Sequence, residues 1–299
     1  MNPGSDFLPL YCIEQAFVRL AADKPVRAQR LEVPEDVPRH DHAFHEICVV
    51  TEGTAAHVTK GGVLPLAPGD VFVVPPGEVH GLANVRNLKV INAYYLSEWL
   101  LGDLGLLWAE PGAVPLFLSR ALMTFQIVNV VQFRLTADEL AGVILELDQI
   151  EASVEAAKRS ALSLRGSFLK IVATLSQAWM RADPSAATIA FRSEVWNAME
   201  VIERAVQSGG LFSVADYARK AGMTADHFSA LFRGQTGYGP MDYFQRRRIH
   251  RACQMLLAPR LNVTEVATEM GYSDAPHFCR MFKQHMGMTP TRYRAVYQA

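Results

Sequence analysis

Cysteine is scarce and unpatterned. The four residues are Cys12, Cys48, Cys253 and Cys279, with no CxxC pair and no close spacings. This excludes a disulfide framework and fits free thiols in a reducing compartment. No apolar run reaches the roughly 18 residues that a membrane span needs. The N-terminus lacks a basic leader, and Asp6, Glu14 and Arg19 interrupt its apolar residues. A signal peptide and a membrane anchor are therefore not expected, and the expected location is the cytoplasm. The chain also lacks an overall charge, with a formal net of −1 over 299 residues. That neutrality hides an asymmetry. Residues 194–299 carry 13 Lys and Arg against 9 Asp and Glu, whereas residues 1–193 carry 16 against 21. A basic C-terminal part on an acidic remainder suits a nucleic-acid reader attached to something else. The length allows two domains, each with its own core.

The most informative stretch is 262–294, NVTEVATEMGYSDAPHFCRMFKQHMGMTPTRYR. It reads as a short helix, a glycine turn, a second helix and a proline-marked stop, the layout of a DNA-reading helix-turn-helix. Asn262 and Glu265 form a capping-box start. Gly271 supplies the turn, and Ser273 is the expected cap of the second helix, with Pro276 tolerated in its first turn. Phe278, Met281 and Phe282 share the core face. Ala275, Pro276, Cys279, Arg280 and Lys283 face outward. Arg280 is the best base reader, because a guanidinium bonds guanine bidentately in the major groove. Lys283 suits phosphate.

A poorer copy of this layout lies about fifty residues upstream. It starts at Ser213, turns at Gly222 and continues from Thr224, with Phe228, Leu231 and Phe232 inward. Its outward face holds Asp226, Ser229, Ala230 and Arg233, a set short of long donors. A helix from Met241 to Leu257 joins the copies and carries Arg246, Arg247, Arg248 and Arg251. These four are either a solvated basic face or phosphate contacts that space the two readers one groove apart. Residues 194–297 resemble the AraC/XylS family of transcription regulators. The likeness rests on Gly271–Asp274, His277, Phe278, Arg280, Phe282, Lys283, Gly287, Thr289, Pro290, Tyr293 and Arg294, and on Arg248, Ile249, Arg251, Ala252, Leu256 and Leu257 of the joining helix. It implies two helix-turn-helix units on promoter DNA, usually activating transcription. Ala230 and Gly234 depart from the long polar and basic residues common at those positions.

The N-terminal half has short strand signals at Ile47–Thr51, Ala55–Thr59, Val63–Leu66 and Val71–Val74. They are separated by Gly53, by a Lys60–Gly62 turn and by Ala67–Asp70, and closed by Pro75–Gly77. Such spacing predicts an antiparallel sandwich or barrel. His40, His42 and Glu46 share parity, so on one extended strand they point the same way, and His45 faces outward. With His80 they could bind Zn, Ni, Fe(II) or Mn. The metal-free alternative is a hydrogen-bonded polar pocket. The direction of His57 stays open. These residues, with Gly53, Gly69, Pro75, Gly77 and Asn84, resemble both cupin motifs. Regulators of that architecture commonly sense a sugar or related small molecule in the barrel, here near His40, His42 and His80.

After Leu96 the period becomes helical. Thr136 caps a helix carrying Leu140, Val143, Ile144, Leu147, Ile150 and Val154, and a second helix carries Phe168, Ile171, Val172, Leu175 and Trp179. The pair either packs on the barrel or forms the seam of a homodimer. The expected fold is α+β. Residues 1–182 form a cupin or jelly-roll barrel with a helical segment at 136–181, residues 183–193 a linker, and residues 194–299 an all-α double helix-turn-helix domain. The expected function is an effector-responsive transcription regulator, with double-stranded promoter DNA, a small molecule, a second copy and RNA polymerase as candidate partners. The competing reading is a metal-dependent cupin dioxygenase or isomerase with a helical appendage. An enzyme has no need of paired recognition helices, so the regulator is favoured.

Overall fold

A computed structural model describes residues 8–13, 18, 20, 24–118, 130–155, 160–184, 192–257 and 261–297. The chain divides into two compact units, the first drawn from residues up to Ile189 and the second chiefly Ala190–Ala299. Most of the expected linker, 185–191, lies outside the described residues.

The first unit holds one eight-stranded sheet. Its strands are β1 (Tyr11–Ile13), β2 (Val26–Val33), β3 (Val37–His42), β4 (His45–Thr59), β5 (Gly62–Leu66), β6 (Asp70–Val74), β7 (His80–Tyr95) and β8 (Val131–Arg134). The order is β1-β3-β7-β4-β6-β8, with β2 on β7 and β5 on β4. Among the described strands only the β1–β3 pairing is parallel. The expected strands Ile47–Thr51 and Ala55–Thr59 prove to be one strand, β4. Gly53 is a bulge and not a turn, with φ of 76°. A Cβ on it would lie 2.1 Å from the Asn87 carbonyl oxygen, so only glycine lets β7 approach there. The pairing of β4 with β7 shifts register repeatedly between Val50 and Ala56. These bulges bend both long strands and curl the sheet around an internal cavity. Lys60 and Gly61 do form the two-residue turn into β5, where Thr59 pairs with Gly62.

Three short helices follow, α1 (Ser97–Leu100), α2 (Leu104–Ala109) and α3 (Ala113–Phe117), and then the long α4 (Ala137–Glu155) and α5 (Ala161–Ala182). The Thr136 cap holds: Glu139 N–H donates to Thr136 Oγ1 at 3.3 Å, and Thr136 N–H donates to Glu139 Oε2 at 2.9 Å. Val143, Leu147 and Ile150 of α4 are buried, as are Phe168, Ile171, Val172, Leu175 and Trp179 of α5. Helix α4 packs on β2 and β7, and α5 on β8. This cover corrects the outward placing of His45. Its ring is buried and stacks on Tyr95 at 4.7 Å, and Tyr95 in turn meets Phe168 of α5 at 5.0 Å. His45 does not line the cavity, but the face it takes is roofed by helix and not by water.

The second unit is all helical: α6 (Ser193–Gln207), α7 (Val214–Lys220), α8 (Ala225–Thr236), α9 (Pro240–Leu257), α10 (Val263–Glu269), α11 (Ala275–Met286) and α12 (Pro290–Tyr297). Two short-long pairs, α7–α8 and α10–α11, repeat one plan. The turn glycines Gly222 and Gly271 have φ of 70° and 69°, and Gly237 and Gly287 close the longer helices at 79° and 71°. Pro240 and Pro290 open the helices that follow. Thr224 Oγ1 accepts from His227 N–H at 3.2 Å, and Asp274 Oδ1 from His277 N–H at 2.6 Å. The cap of α11 is therefore Asp274, one residue beyond the expected Ser273; the carboxylate accepts the free amide, and Ser273 Oγ donates to that same carboxylate. The Asn262–Glu265 capping box is present. The cores repeat too. Phe228 meets Phe232 at 5.7 Å and Phe232 meets Tyr243 at 5.4 Å; Phe278 meets Phe282 at 5.6 Å and Phe282 meets Tyr293 at 5.5 Å.

Candidate functional site

The cavity inside the curled sheet measures about 210 Å³ and is lined from β1, β2, β3, β4, β6 and β7. Most of its wall is aliphatic or aromatic. The polar lining is gathered in one cluster, and it begins with a correction of strand geometry. His42 ends β3 and Glu46 lies at the start of β4, so a short turn, and not one extended strand, brings them together. His42 Nε2 lies 3.1 Å and His80 Nε2 3.6 Å from Glu46 Oε2. The three groups form the described residues' candidate metal cluster, with ligand atoms within 4.8 Å of one another. His40 stands outside this triad. It lines the same cavity, its Nδ1 faces the Pro38 carbonyl at 3.0 Å just as His42 Nδ1 faces a backbone carbonyl, and its ring stacks on Tyr11.

The hydrogen bonds behind the triad decide where its protons sit. His42 Nδ1 is 2.7 Å from the Phe44 carbonyl oxygen. A carbonyl only accepts, so Nδ1 carries a proton, and the neutral form of the ring presents a lone pair on Nε2. Gln132 donates through Nε2 to the Pro65 carbonyl at 2.7 Å, which turns its carbonyl oxygen toward His57 Nδ1 at 3.4 Å. His57 Nδ1 therefore donates. His57 Nε2 must then accept, and it faces His80 Nδ1 at 3.4 Å. His80 is left with a lone pair on Nε2. Both Nε2 atoms are buried without a hydrogen-bond donor. Burial, joined by the neighbouring His40, His42 and His57, holds His80 well below the ordinary histidine range. Burial brings His57 to about 4. Glu46 Oε1 accepts from Asn92 Nδ2 at 2.5 Å, and Asn92 also donates to Tyr94 Oη at 3.1 Å. Two imidazole lone pairs and a carboxylate oxygen thus converge, with each imidazole's other nitrogen donating outward. That is how a ligating histidine is normally held, and three converging acceptors repel one another unless a cation joins them. The residues fit a divalent metal. Sequence reasoning missed Asn92 and Gln132. The one signal for Asn92 was a lone amide within the apolar run Val90–Tyr95; Gln132 offered none.

The DNA-facing candidates lie in the second unit. Pro276, Arg280 and Lys283 of α11 are exposed. Ala275 and Cys279, expected outward, are half-buried and lean on the core around Phe278 and Phe282. On α8, Asp226, Ala230 and Arg233 are exposed and Ser229 is half-buried. The arginines of α9 separate into two classes. Arg246 is half-exposed over the Tyr238 ring at 4.3 Å, and Arg251 is half-buried. Arg247 and Arg248 do not reach the surface, which corrects their placing among phosphate contacts. Arg247 is 3% exposed and pairs with both oxygens of Glu203 at 2.9 Å. Arg248 donates through Nε and Nη2 to the Met270 carbonyl and lies 4.0 Å over the Tyr272 ring. Met270 is the C-cap of α10, so Arg248 satisfies a carbonyl that the helix leaves open and bolts the turn to α9.

A family model described as an AraC-like ligand binding domain matches residues 26–162. One described as a helix-turn-helix domain matches residues 217–295. The HTH-type transcriptional activator RhaR of Mannheimia succiniciproducens is 22% identical over 277 residues, covering 92% of this chain and 94% of that protein. RhaR of Escherichia coli is 26% identical over 279 residues, covering 92% and 93%. Among solved structures, ToxT from Vibrio cholerae aligns at a TM-score of 0.43 and 10% identity over 92% of this chain and 98% of that one. A transcriptional regulator from Chromobacterium violaceum aligns at 0.33 and 25% identity over 35% and 91%.

Proposed function

We infer that this chain, which belongs to the AraC family of transcription regulators by its two matched domains, is an effector-responsive DNA-binding regulator that activates transcription. The observation that carries the reading is the pairing of an AraC-like ligand binding domain with a helix-turn-helix domain in one chain. The enzyme alternative gives way because relatives matched along nine-tenths of the chain are named as transcriptional activators.

In this reading α8 and α11 are the recognition helices. Arg280 reads base edges on α11, flanked by Ala275, Pro276 and Cys279. Asp226, Ser229 and Ala230 present the base-facing surface of α8, which acts more by fit than by a hydrogen-bond code. Lys283, Arg233, Arg246 and Arg251 meet phosphate. The domain boundary falls in 183–193, and the protein works in the cytoplasm, where promoter DNA and RNA polymerase are found. Two copies associate through α4 and α5, which carry the exposed Leu145 and Leu162. The cavity is the effector site. His42, Glu46 and His80 would hold a single divalent ion, Zn, Ni, Fe or Mn, which when bound would supply a Lewis-acidic centre for an effector oxygen. Effector binding shifts the population between states of different DNA affinity.

The test is a footprint of the full chain on its own upstream region, with and without Arg280→Ala. A protected site that the variant loses supports the reading. Uniform, sequence-independent protection by both proteins would rule it out.

A further inference from the structure

We propose that the effector is a small apolar monocarboxylate whose head binds the ion on His42, Glu46 and His80 and whose hydrocarbon body lies against the cavity wall. The proposal rests on the reading of the triad as a cation site. Three observations carry it.

The first is the wall. Away from the polar cluster the lining is apolar, with Leu31, Val33, Val37, Phe72, Leu82 and Val90 among its residues. A polyol has hydroxyls on every side, and against these side chains most would be buried without partners. A molecule with one polar end and an apolar remainder has no such mismatch. The second is size. The cavity measures about 210 Å³. It lies below the range typical of drug-sized ligands. A single ring or a short chain fits.

The third is charge and hydrogen-bond sense. Joined to a divalent ion, His42 and His80 ligate as neutral imidazoles through Nε2, since the Phe44 carbonyl takes the Nδ1 proton of His42 and His57 Nε2 faces Nδ1 of His80. A divalent ion with two neutral imidazoles and one carboxylate keeps one positive charge. That charge lies in a pocket where Glu46 is 6% and His80 3% exposed. A buried unit charge calls for one counter-charge. A monoanion cancels it, whereas a neutral head leaves it and a dianion overshoots. Without an ion, the same three acceptors match the three N–H donors of a primary ammonium, and this makes the amine the sharpest competitor.

The experiment uses the full chain, stripped with chelator and reloaded in parallel with Zn²⁺, Ni²⁺, Mn²⁺ or anaerobic Fe²⁺. Equilibrium dialysis reads ion stoichiometry. Calorimetry and thermal shift then compare benzoate and hexanoate with benzamide, hexanol, benzylamine and glucose. The expected result is one ion per chain, with benzoate or hexanoate binding the loaded protein at least roughly tenfold more tightly than the stripped protein. The neutral analogues and glucose should give no shift. His42→Gln should lose both the ion and the carboxylate response. Val37→Trp, on a partly exposed strand, should keep the ion and lose the benzoate response. If the ion binds but glucose or benzamide matches benzoate, the effector class is overturned and the cation site stands. If Val37→Trp binds benzoate as wild type does, the placing of the body against this wall is overturned. If no ion binds and benzylamine stabilises the stripped protein, the triad takes an ammonium head, and both readings fall.

Discussion

Arg247 and Arg280 are the same residue type in the same unit, yet their surroundings give them opposite tasks. Arg247 is sealed against Glu203, with side chains 3% and 11% exposed, whereas Arg280 stands in the open on α11. Removing Arg247 strands a buried carboxylate. Arg247→Ala should therefore cost about 3–5 kcal/mol of stability, read by urea unfolding. Arg280→Ala should leave unfolding unchanged and weaken specific DNA binding by about 1–3 kcal/mol, with little effect on random DNA; a loss shared equally by both DNAs would contradict base reading. Sequence spacing placed Arg280 on the outward face of its helix, where it is exposed, because Phe278 and Phe282 fix the inward one. It could not separate Arg247 and Arg248 from Arg246, because the partners that bury them, Glu203 and the Met270 carbonyl, are distant in the chain. The metal candidates divide likewise. His42, Glu46 and His80 come together as their spacing and the cupin likeness led one to expect, and His40, grouped with them on the same grounds, lines the same cavity outside the triad. Gln132 was invisible, since its work is to fix the tautomer of a histidine two residues removed in the relay. Gln132→Leu should weaken ion binding by about 10–100-fold without changing the three ligands, measured by competition with a chromophoric chelator.

Among the elements, α4 and α5 show how much a cap can be asked to do. Glu139 closes the Thr136 box at the start of α4, and Arg181 from the end of α5 donates to both its oxygens at 2.8 and 2.7 Å. The Arg181 guanidinium, aided by Thr136, holds the Glu139 carboxyl below its ordinary value of 4.5. A depressed carboxylate stabilises the fold above that ordinary value, and its share is lost as pH falls through the lower folded value. Arg181→Gln should thus destabilise the protein only slightly at pH 7. The gap between variant and wild type should close in acid, as urea unfolding at pH 7 and pH 3 would show. An unchanged gap at pH 3 would mean that packing, not charge, joins the two helices. Both helices were readable from their 3.6-residue stripes. The strands were less so. β2 and the middle of β7 mix polar and apolar residues without clean alternation, and β4 was broken in two by a glycine whose role depends on the backbone of Asn87.

For the whole molecule, a net charge of −1 means that DNA affinity must come from local placement of cations and not from bulk attraction. Observed binding should fall steeply with salt, by about 0.9 logarithmic units of affinity per logarithmic unit of salt for each phosphate engaged. Lys283→Ala should reduce that slope by about 1, while a conservative change at buried Arg248 should leave it alone; filter binding between 50 and 200 mM salt covers the informative range. The chain's two-part plan was legible early because each part has its own period, two in the strands and 3.6 in the helices. The helix pairs carry one further consequence. Gly222 and Gly271, Phe232 and Phe282, Tyr243 and Tyr293 repeat a frame, but Ala230 and Arg280 stand outside it on unlike surfaces. Under the proposed function a single chain meets DNA with two different faces on duplicate supports. The sequence it prefers should be lopsided, with one half-site strict and the other permissive, and mutational drift can retune either half without disturbing the fold beneath.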